Sequence, residues 1–219
     1  MGMSLSIDLA GERLVLLPER GLFWERGQML LIADWHLGKA ATFRAAGIAV
    51  PEGDLDEELQ RLDQMLEATG AAELVILGDF AHARSGLTDR LAGRIQAWIS
   101  ECPAQVALLA GNHDRSAGLA RVGSLGLELL GDSTCREPFV LQHEPGMSPA
   151  GYVLAGHLHP AVSLGEGKRG GLRAPCFWFG KAGGVLPAFG GFTGGRRVEP
   201  APGDRVFAVG DSEVIEVPV

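Results

Sequence analysis

Five short apolar runs, each followed by a glycine or polar residue, constrain the fold of this chain more than any other feature. The runs span residues 29–33, 74–77, 106–110, 139–141 and 152–155. Short apolar runs that end at turn-forming residues are typical of buried strands. Residues 55–68 and 88–100, which lie between the first three runs, carry apolar residues at helical spacing. Alternation of strand and helix predicts parallel βαβ units in the first half of the chain.

The pattern changes after Gly111, where short strand-like runs continue with little helical periodicity. Residues 205–209 and 213–217 flank a Gly-Asp-Ser turn and predict a hairpin. We therefore expect a second sheet that is more antiparallel than the first. From Gly165 to Gly195, 11 of 31 residues are glycine. Such a segment is either a long mobile loop or a shaped surface that brings the backbone close to a ligand.

Length and composition predict a globular protein with one domain over residues 1–219. Of the 219 residues, 46% are hydrophobic and 21% are charged, which excludes disordered, collagen-like and coiled-coil chains. No apolar run approaches the ~20 residues of a membrane helix, and residues 1–10 lack the pattern of a secretory signal. Three widely spaced cysteines without a CxxC pair argue against a disulfide framework. A cytoplasmic location is therefore expected.

The charge balance is acidic, with 27 acidic and 19 basic residues and a net charge of −8. This balance argues against a protein that holds nucleic acid mainly through a broad basic surface. It leaves room for a phosphate substrate that binds at a local metal site.

Residue types that bind metals follow the predicted strands. Because ligands bind outside the carboxyl ends of parallel strands, we expect these side chains to converge. The Asp-x-His triplet alone is a weak signal, whereas Gly-Asn-His-Asp contains the chain's only asparagine and arises by chance roughly once in several thousand such chains. Carboxylate, amide and imidazole groups without thiolate suit manganese, iron or zinc. The residues are Asp34, His36, Asp79, Asn112, His113, Asp114, His143, His157 and His159.

Taken in order, the motifs Asp-x-His, Gly-Asp, Gly-Asn-His-Asp, a single His and Gly-His-x-His span residues 34–159 and resemble the calcineurin-like metallophosphoesterase superfamily. Residues 34–39, 43–48 and 186–195 further resemble the bacterial ligase-associated DNA damage response endonucleases, which extends the resemblance over nearly the whole chain. The resemblance implies an α/β fold in which two packed mixed β-sheets are flanked by helices, a four-layer α/β/β/α sandwich.

The resemblance also implies a site for two divalent metal ions, with Mn²⁺ expected and iron or zinc as alternatives. Asp79 would bridge the two ions. One ion would be held by Asp34, His36 and His159, and the other by Asn112, His143 and His157.

Further site residues follow from the resemblance and from position in the sequence. By resemblance, His113 would contact the phosphate or protonate the leaving group, with Asp114 orienting its ring. Lys39 and Arg44 come just after the first motif and are candidates for binding substrate phosphates, although solvated surface cations are the commoner case. His82 is a candidate for substrate binding, for orienting a ligand side chain, or for an incidental place in a loop.

The function that the resemblance implies is metal-dependent hydrolysis of a phosphodiester, as by a DNA endonuclease linked to DNA repair. An alternative is a phosphatase or phosphodiesterase that acts on a nucleotide, another small phosphoester or a phosphoprotein. A non-catalytic scaffold module with the same fold is a third, disfavoured because no candidate ligand is missing. A DNA ligase and a helicase are the partners that the resemblance suggests.

Overall fold

The structure, a computed structural model, describes residues 2–50, 55–165, 172–191 and 193–218. Two mixed β-sheets pack against each other and are flanked by helices, which confirms the expected fold class. Each sheet is built around short parallel strands, and the candidate site lies at the carboxyl ends of these strands.

Seven strands form the first sheet within the described residues, in the order β1-β2-β3-β4-β5-β6-β7. Strands β4 to β7 are parallel, as the apolar runs predict, whereas β1 to β4 pair antiparallel. The antiparallel strands β1 and β2 escape a search for continuous apolar runs because their apolar and polar residues alternate. The strands are β1 (Leu5–Leu9), β2 (Glu12–Leu16), β3 (Leu22–Trp24), β4 (Met29–Ile32), β5 (Glu73–Ile76), β6 (Gln105–Leu108) and β7 (Glu128–Leu129).

The second sheet is also mixed, in the order β14-β11-β12-β13-β10-β9-β8, with β15 and β16 attached through β12. Among the described strands, β9, β10 and β13 are parallel, and antiparallel pairs predominate elsewhere. The predicted terminal hairpin is confirmed as β15 and β16. The strands are β8 (Ser133–Arg136), β9 (Phe139–Gln142), β10 (Tyr152–Ala155), β11 (Pro160–Leu164), β12 (Leu172–Phe179), β13 (Gly183–Val185), β14 (Arg196–Arg197), β15 (Arg205–Val209) and β16 (Val214–Val217).

The helices are α1 (Lys39–Ala45), α2 (Leu55–Thr69), α3 (Asp89–Glu101), α4 (Asn112–Ala117) and α5 (Leu119–Gly123). The apolar spacing predicts α2 and α3 to within a residue or two at each end. The expectation of little helix after Gly111 is wrong for α4 and α5, because two helices of one to two turns are too short to show a periodic apolar face. None of the described helices is long and apolar enough to cross a membrane.

Two buried clusters hold these layers together. Leu31, Val75 and Ala107 of the first sheet pack against Phe139 and Phe177 of the second. On its other face, the first sheet packs against the apolar sides of α2 and α3. Since burial of apolar area is the main favourable contribution to folding, these clusters fix the two sheets relative to each other. The strand ends that carry the candidate site are fixed with them.

Candidate metal centre

The candidate ligands lie in loops that follow parallel strands, and their backbone is strained. Asp34 and His36 follow β4, Asp79 follows β5, and His143 follows β9. Eight described residues other than glycine have a positive φ angle, and five of them belong to the candidate set. Non-glycine residues in this region are uncommon and cluster at functional sites. The five are Asp34, His36, Asp79, His157 and His159.

A first group of donors comprises Asp34, His36 and His159. The Nε2 atoms of the two imidazoles are 3.1 Å apart, and His159 Nε2 lies 3.6 Å from Asp34 Oδ1. His159 Nδ1 donates to the carbonyl of Gly194 (3.1 Å), which turns the Nε2 lone pair into the site. The Asp34 carboxylate accepts from the backbone N–H of His157.

A second group comprises Asp79, His143 and His157, with Asn112 beside it. His143 Nε2 is 3.1 Å from His157 Nδ1, 3.1 Å from Asn112 Oδ1 and 3.5 Å from Asp79 Oδ1. His143 Nδ1 donates to the carbonyl of Leu77 (2.9 Å), so its Nε2 is the acceptor that faces the group. Gly78 precedes Asp79 with φ +82°, and a Cβ there would lie 2.2 Å from His143 Nδ1.

The Asp79 carboxylate, a member of the second group, also faces the first. Its Oδ1 faces His143 Nε2 of the second group, and its Oδ2 lies 3.9 Å from His36 Nε2 of the first. The side chain is 4% exposed. One carboxylate therefore faces both sets of imidazoles.

The donor sets fit divalent cations. Nitrogen and oxygen atoms that can coordinate a cation face one another at 3.1–3.6 Å. These separations match the edges of a coordination polyhedron with bonds of about 2.0–2.2 Å, which are roughly 3.0–3.5 Å long. Buried Asp34 and Asp79 bring negative charge that needs a counter-charge. Burial, assisted by His159 and Lys39, lowers the pKa of His36 to about 2 and keeps it in the neutral form that a metal ligand requires.

The structure places His113 at the edge of the centre. Its Nδ1 donates to the backbone carbonyl of His82 (2.7 Å), and its Nε2 lies 4.0 Å from Asp79 Oδ2. His113, His36 and His82 form a further close group of imidazoles. The ring thus stands next to the two donor groups with one nitrogen turned toward them.

The expectation that Asp114 orients the ring of His113 is corrected by the structure. Asp114 is fully buried, and its carboxylate accepts from the backbone N–H groups of Phe80, Ala81 and Gly111. Burial raises the pKa of Asp114 against these hydrogen bonds. Because the carboxylate is committed to three amides, it fixes the loop after β5 to the start of α4.

His82 contacts two members of the site. Its Nδ1 lies 3.4 Å from His36 Nδ1, and its ring stacks on that of His113 with centroids 4.7 Å apart. Burial, together with His113 and Lys39, lowers the pKa of His82 to about 4. His82 therefore contacts one candidate ligand, His36, and the ring of His113.

The candidate substrate cations line a cleft of about 470 Å³ that His36 also lines. Lys39 is half-buried, and burial lowers its pKa although Asp34 and Asp79 act in the opposite sense. Arg44 is exposed at the same cleft. Both cations therefore share a cleft with one candidate ligand, His36.

Sequence reasoning missed the residues that anchor the glycine-rich segment. Arg61 donates to the carbonyl of Phe189 (2.8 Å) and lies over its ring, while Arg20 donates to the carbonyl of Ala188. Glu58 accepts from the backbone N–H of Gly191. A Cβ at Gly190 would lie 2.1 Å from the carbonyl oxygen of Trp35. The described part of the glycine-rich segment therefore forms strands β12 and β13 and a turn that packs against the loop carrying Asp34 and His36. Residues 166–171 and 192 lie outside the described residues.

Two mixed sheets with carboxylate, amide and imidazole donors at their shared strand ends place this protein among the metal-binding α/β sandwich enzymes. The family profile described as calcineurin-like phosphoesterase matches residues 28–164, and the chain belongs to this family. The family is dependent on divalent metals, and its chemistry supports hydrolysis of a phosphoester.

Solved structures extend the comparison over the whole chain. Nuclease MPE from Pseudomonas putida is 36% identical, with 98% of this chain and 100% of that chain covered and a TM-score of 0.84. Yfce, a phosphoesterase from E. coli, is 17% identical over 86% of this chain and 97% of its own, with a TM-score of 0.46. Comparison with curated protein sequences gives no significant match.

Proposed function

We propose that this protein is a two-metal phosphodiesterase that cuts DNA as an endonuclease in DNA repair. The observation that carries the proposal is the position of Asp79, whose two carboxylate oxygens face separate groups of imidazoles. Such a carboxylate suits a pair of cations that act on one phosphate. The similarity to a nuclease of Pseudomonas putida supports a nucleic acid substrate.

Each donor group would hold one cation. Asp34, His36 and His159 would bind the first. Asn112, His143 and His157 would bind the second, with Asp79 shared. Mn²⁺ suits this mixture of oxygen and nitrogen donors, as do iron and zinc. Bound divalent cations supply positive charge that polarises a phosphate and lowers the pKa of a water molecule.

His113 is the residue that handles the leaving group. Its Nδ1–H is held by the carbonyl of His82, so the ring keeps Nε2 toward the centre. When the ring carries a second proton, Nε2–H donates to the departing alkoxide, a contribution of about 10²–10⁴-fold to the rate. Asp114 supports this step indirectly, because it fixes the backbone from which His113 projects.

The proposed partners of the enzyme are a DNA ligase and a helicase. Three segments resemble ligase-associated endonucleases, namely residues 34–39, 43–48 and 186–195. This resemblance supports a role in DNA repair together with these partners. The complete set of donors favours an enzyme over a scaffold module.

A comparison of substrates tests the proposal. Protein stripped with EDTA and returned to Mn²⁺ is offered bis(p-nitrophenyl) phosphate, p-nitrophenyl phosphate and circular single-stranded DNA. We expect hydrolysis of the diester and the DNA, with little release from the monoester. Monoesterase activity that exceeds diesterase activity would support the phosphatase alternative instead. Asp79→Asn is the inactive control, because it removes the shared carboxylate.

A further inference from the structure

Glu58 connects two segments of the chain that lie beside the first group of donors. Its Oε2 accepts a hydrogen bond from the indole Nε1–H of Trp35 (2.8 Å). Its Oε1 accepts from the backbone N–H of Gly191 (2.9 Å). The two partners are 23 and 133 positions away along the chain, and Glu58 itself lies in the first turn of α2. One carboxylate therefore joins the loop after β4 to the glycine-rich segment after β13.

The first partner, Trp35, links Glu58 to two candidate ligands. It lies between Asp34 and His36 in the sequence, and it is 2% exposed. Its ring makes edge contacts, with centroids 5.4–6.2 Å apart, with the rings of Phe80, Trp98 and Phe189. A ring packed on several sides has little freedom to move. The hydrogen bond from Trp35 to Glu58 therefore helps to fix the backbone that carries Asp34 and His36.

The second partner, Gly191, belongs to the segment that orients the third ligand of the same group. Three residues later, the carbonyl of Gly194 accepts from His159 Nδ1 (3.1 Å). The segment also contacts the loop after β4 directly, since the backbone N–H of Gly190 donates to the carbonyl of Asp34 (3.3 Å). Groups that hold the outer nitrogen of a ligand imidazole set the direction of its inner nitrogen. The hydrogen bond at Gly191 therefore bears on the orientation of His159.

The second group of donors is held by different contacts. His143 Nδ1 donates to the carbonyl of Leu77, which follows β5 and is not part of either segment that Glu58 joins. The backbone N–H of His157 donates to the carboxylate of Asp34, which couples the second group to the first. Glu58 therefore acts on the first group through both of its hydrogen bonds and on the second group less directly.

We propose that Glu58 is a positioning residue that sets the affinity of the first group of donors for its cation. The inference rests on the proposed function and deepens it. A carboxylate suits this place because both partners are N–H donors, and an ionised carboxylate accepts at both oxygens. Glutamine has the same shape but one acceptor oxygen and an NH₂ group, so Glu58→Gln loses one of the two hydrogen bonds. Residues that orient metal ligands contribute about 10–100-fold to metal affinity.

Two ligand variants isolate the donor groups for the test. His157→Ala leaves the first group intact, and His159→Ala leaves the second. Mn²⁺ is titrated into each variant, with and without Glu58→Gln, and the electron paramagnetic resonance signal of the free ion gives the Kd. We expect Glu58→Gln to raise the Kd of His157→Ala by about 10–100-fold and to change that of His159→Ala far less. Glu67→Gln makes the same change at an exposed position of α2 and, as the matched control, should alter neither value.

Equal weakening in the two ligand variants would indicate a general loss of structure and overturn the inference, as would an unchanged Kd in His157→Ala. Hydrogen exchange of the metal-free protein is a second measurement. The amides of residues 186–191 should exchange faster in Glu58→Gln than in the parent, and equal exchange overturns the inference even if no Mn²⁺ binds. Hydrolysis of bis(p-nitrophenyl) phosphate by the parent reports on the proposed function alone, so the failure of that function is distinguished from the failure of this inference.

Discussion

At the scale of single residues, the site depends on which nitrogen of each imidazole is committed to the backbone. The Nδ1 atoms of His143, His159 and His113 donate to the carbonyls of Leu77, Gly194 and His82. Such hydrogen bonds fix the tautomer and ring orientation and leave Nε2 toward the centre. These backbone carbonyls therefore fix the tautomer and the ring orientation of three imidazoles before any ligand binds.

His113→Ala is expected to separate catalysis from metal binding. Because His113 lies outside the two proposed ligand sets, the variant should bind as much Mn²⁺ as the parent while turnover of bis(p-nitrophenyl) phosphate falls by about 10²–10⁴-fold. Calorimetric titration and steady-state kinetics measure the two properties. Asp79→Asn should lose both. Parent-like turnover by His113→Ala would refute the role of this imidazole.

His82 predicts a specific pH dependence of stability in the metal-free protein. Burial and the neighbouring His113 and Lys39 lower its pKa from 6.5 to about 4 in the folded state. Between these values the unfolded chain binds more protons, so His82 makes the folded state less stable as pH falls. Urea unfolding of the EDTA-treated protein at pH 7 and at pH 5 should show a smaller loss of stability for His82→Gln than for the parent. Equal losses would contradict the shift.

At the scale of elements, the segment after β13 is fixed to the site by residues distant in sequence. Arg61 and Phe189 are 128 positions apart, and Arg20 reaches Ala188 across 168 positions. Neither arginine carries a local signal of this role. The parallel strands β4, β5 and β6 could be predicted because burial on both faces leaves a continuous apolar run. The contacts of Arg20 and Arg61 could not be predicted, because contacts between residues far apart in the sequence leave no periodic pattern along the chain.

Arg61→Ala tests the anchor of this segment. The change removes a charged hydrogen bond to the carbonyl of Phe189 and the packing of the guanidinium on the Phe189 ring. We expect the free energy of unfolding to fall by about 1.5–3 kcal/mol, the range for a hydrogen bond from a charged donor. Urea denaturation measures the loss. Arg13→Ala, which removes an exposed ion pair with Glu25 and an exposed hydrogen bond to Ser6, should cost under about 1 kcal/mol, and an equal cost for both would argue against the anchor.

At the scale of the whole molecule, the net charge is negative, whereas the charge of one cleft near the candidate site is positive. A net charge of −8 argues against a broad basic surface, yet the cleft that His36 lines carries four cationic residues against two carboxylates. The position of the motifs after parallel strands indicated that these side chains converge, because parallel strands deliver their carboxyl ends to one edge, whereas their division into two ligand sets came from the family resemblance. The position of Asp114 against three backbone amides was beyond such reasoning, since it depends on how α4 starts.

The most direct test of the account is the number of Mn²⁺ ions that the metal-free protein binds, measured by electron paramagnetic resonance during a titration. The two donor groups that share Asp79 predict two ions per chain and, at saturation, a spectrum of two magnetically coupled Mn²⁺ ions. A folded protein that saturates with a single uncoupled ion, or that binds none, would contradict the two-metal centre.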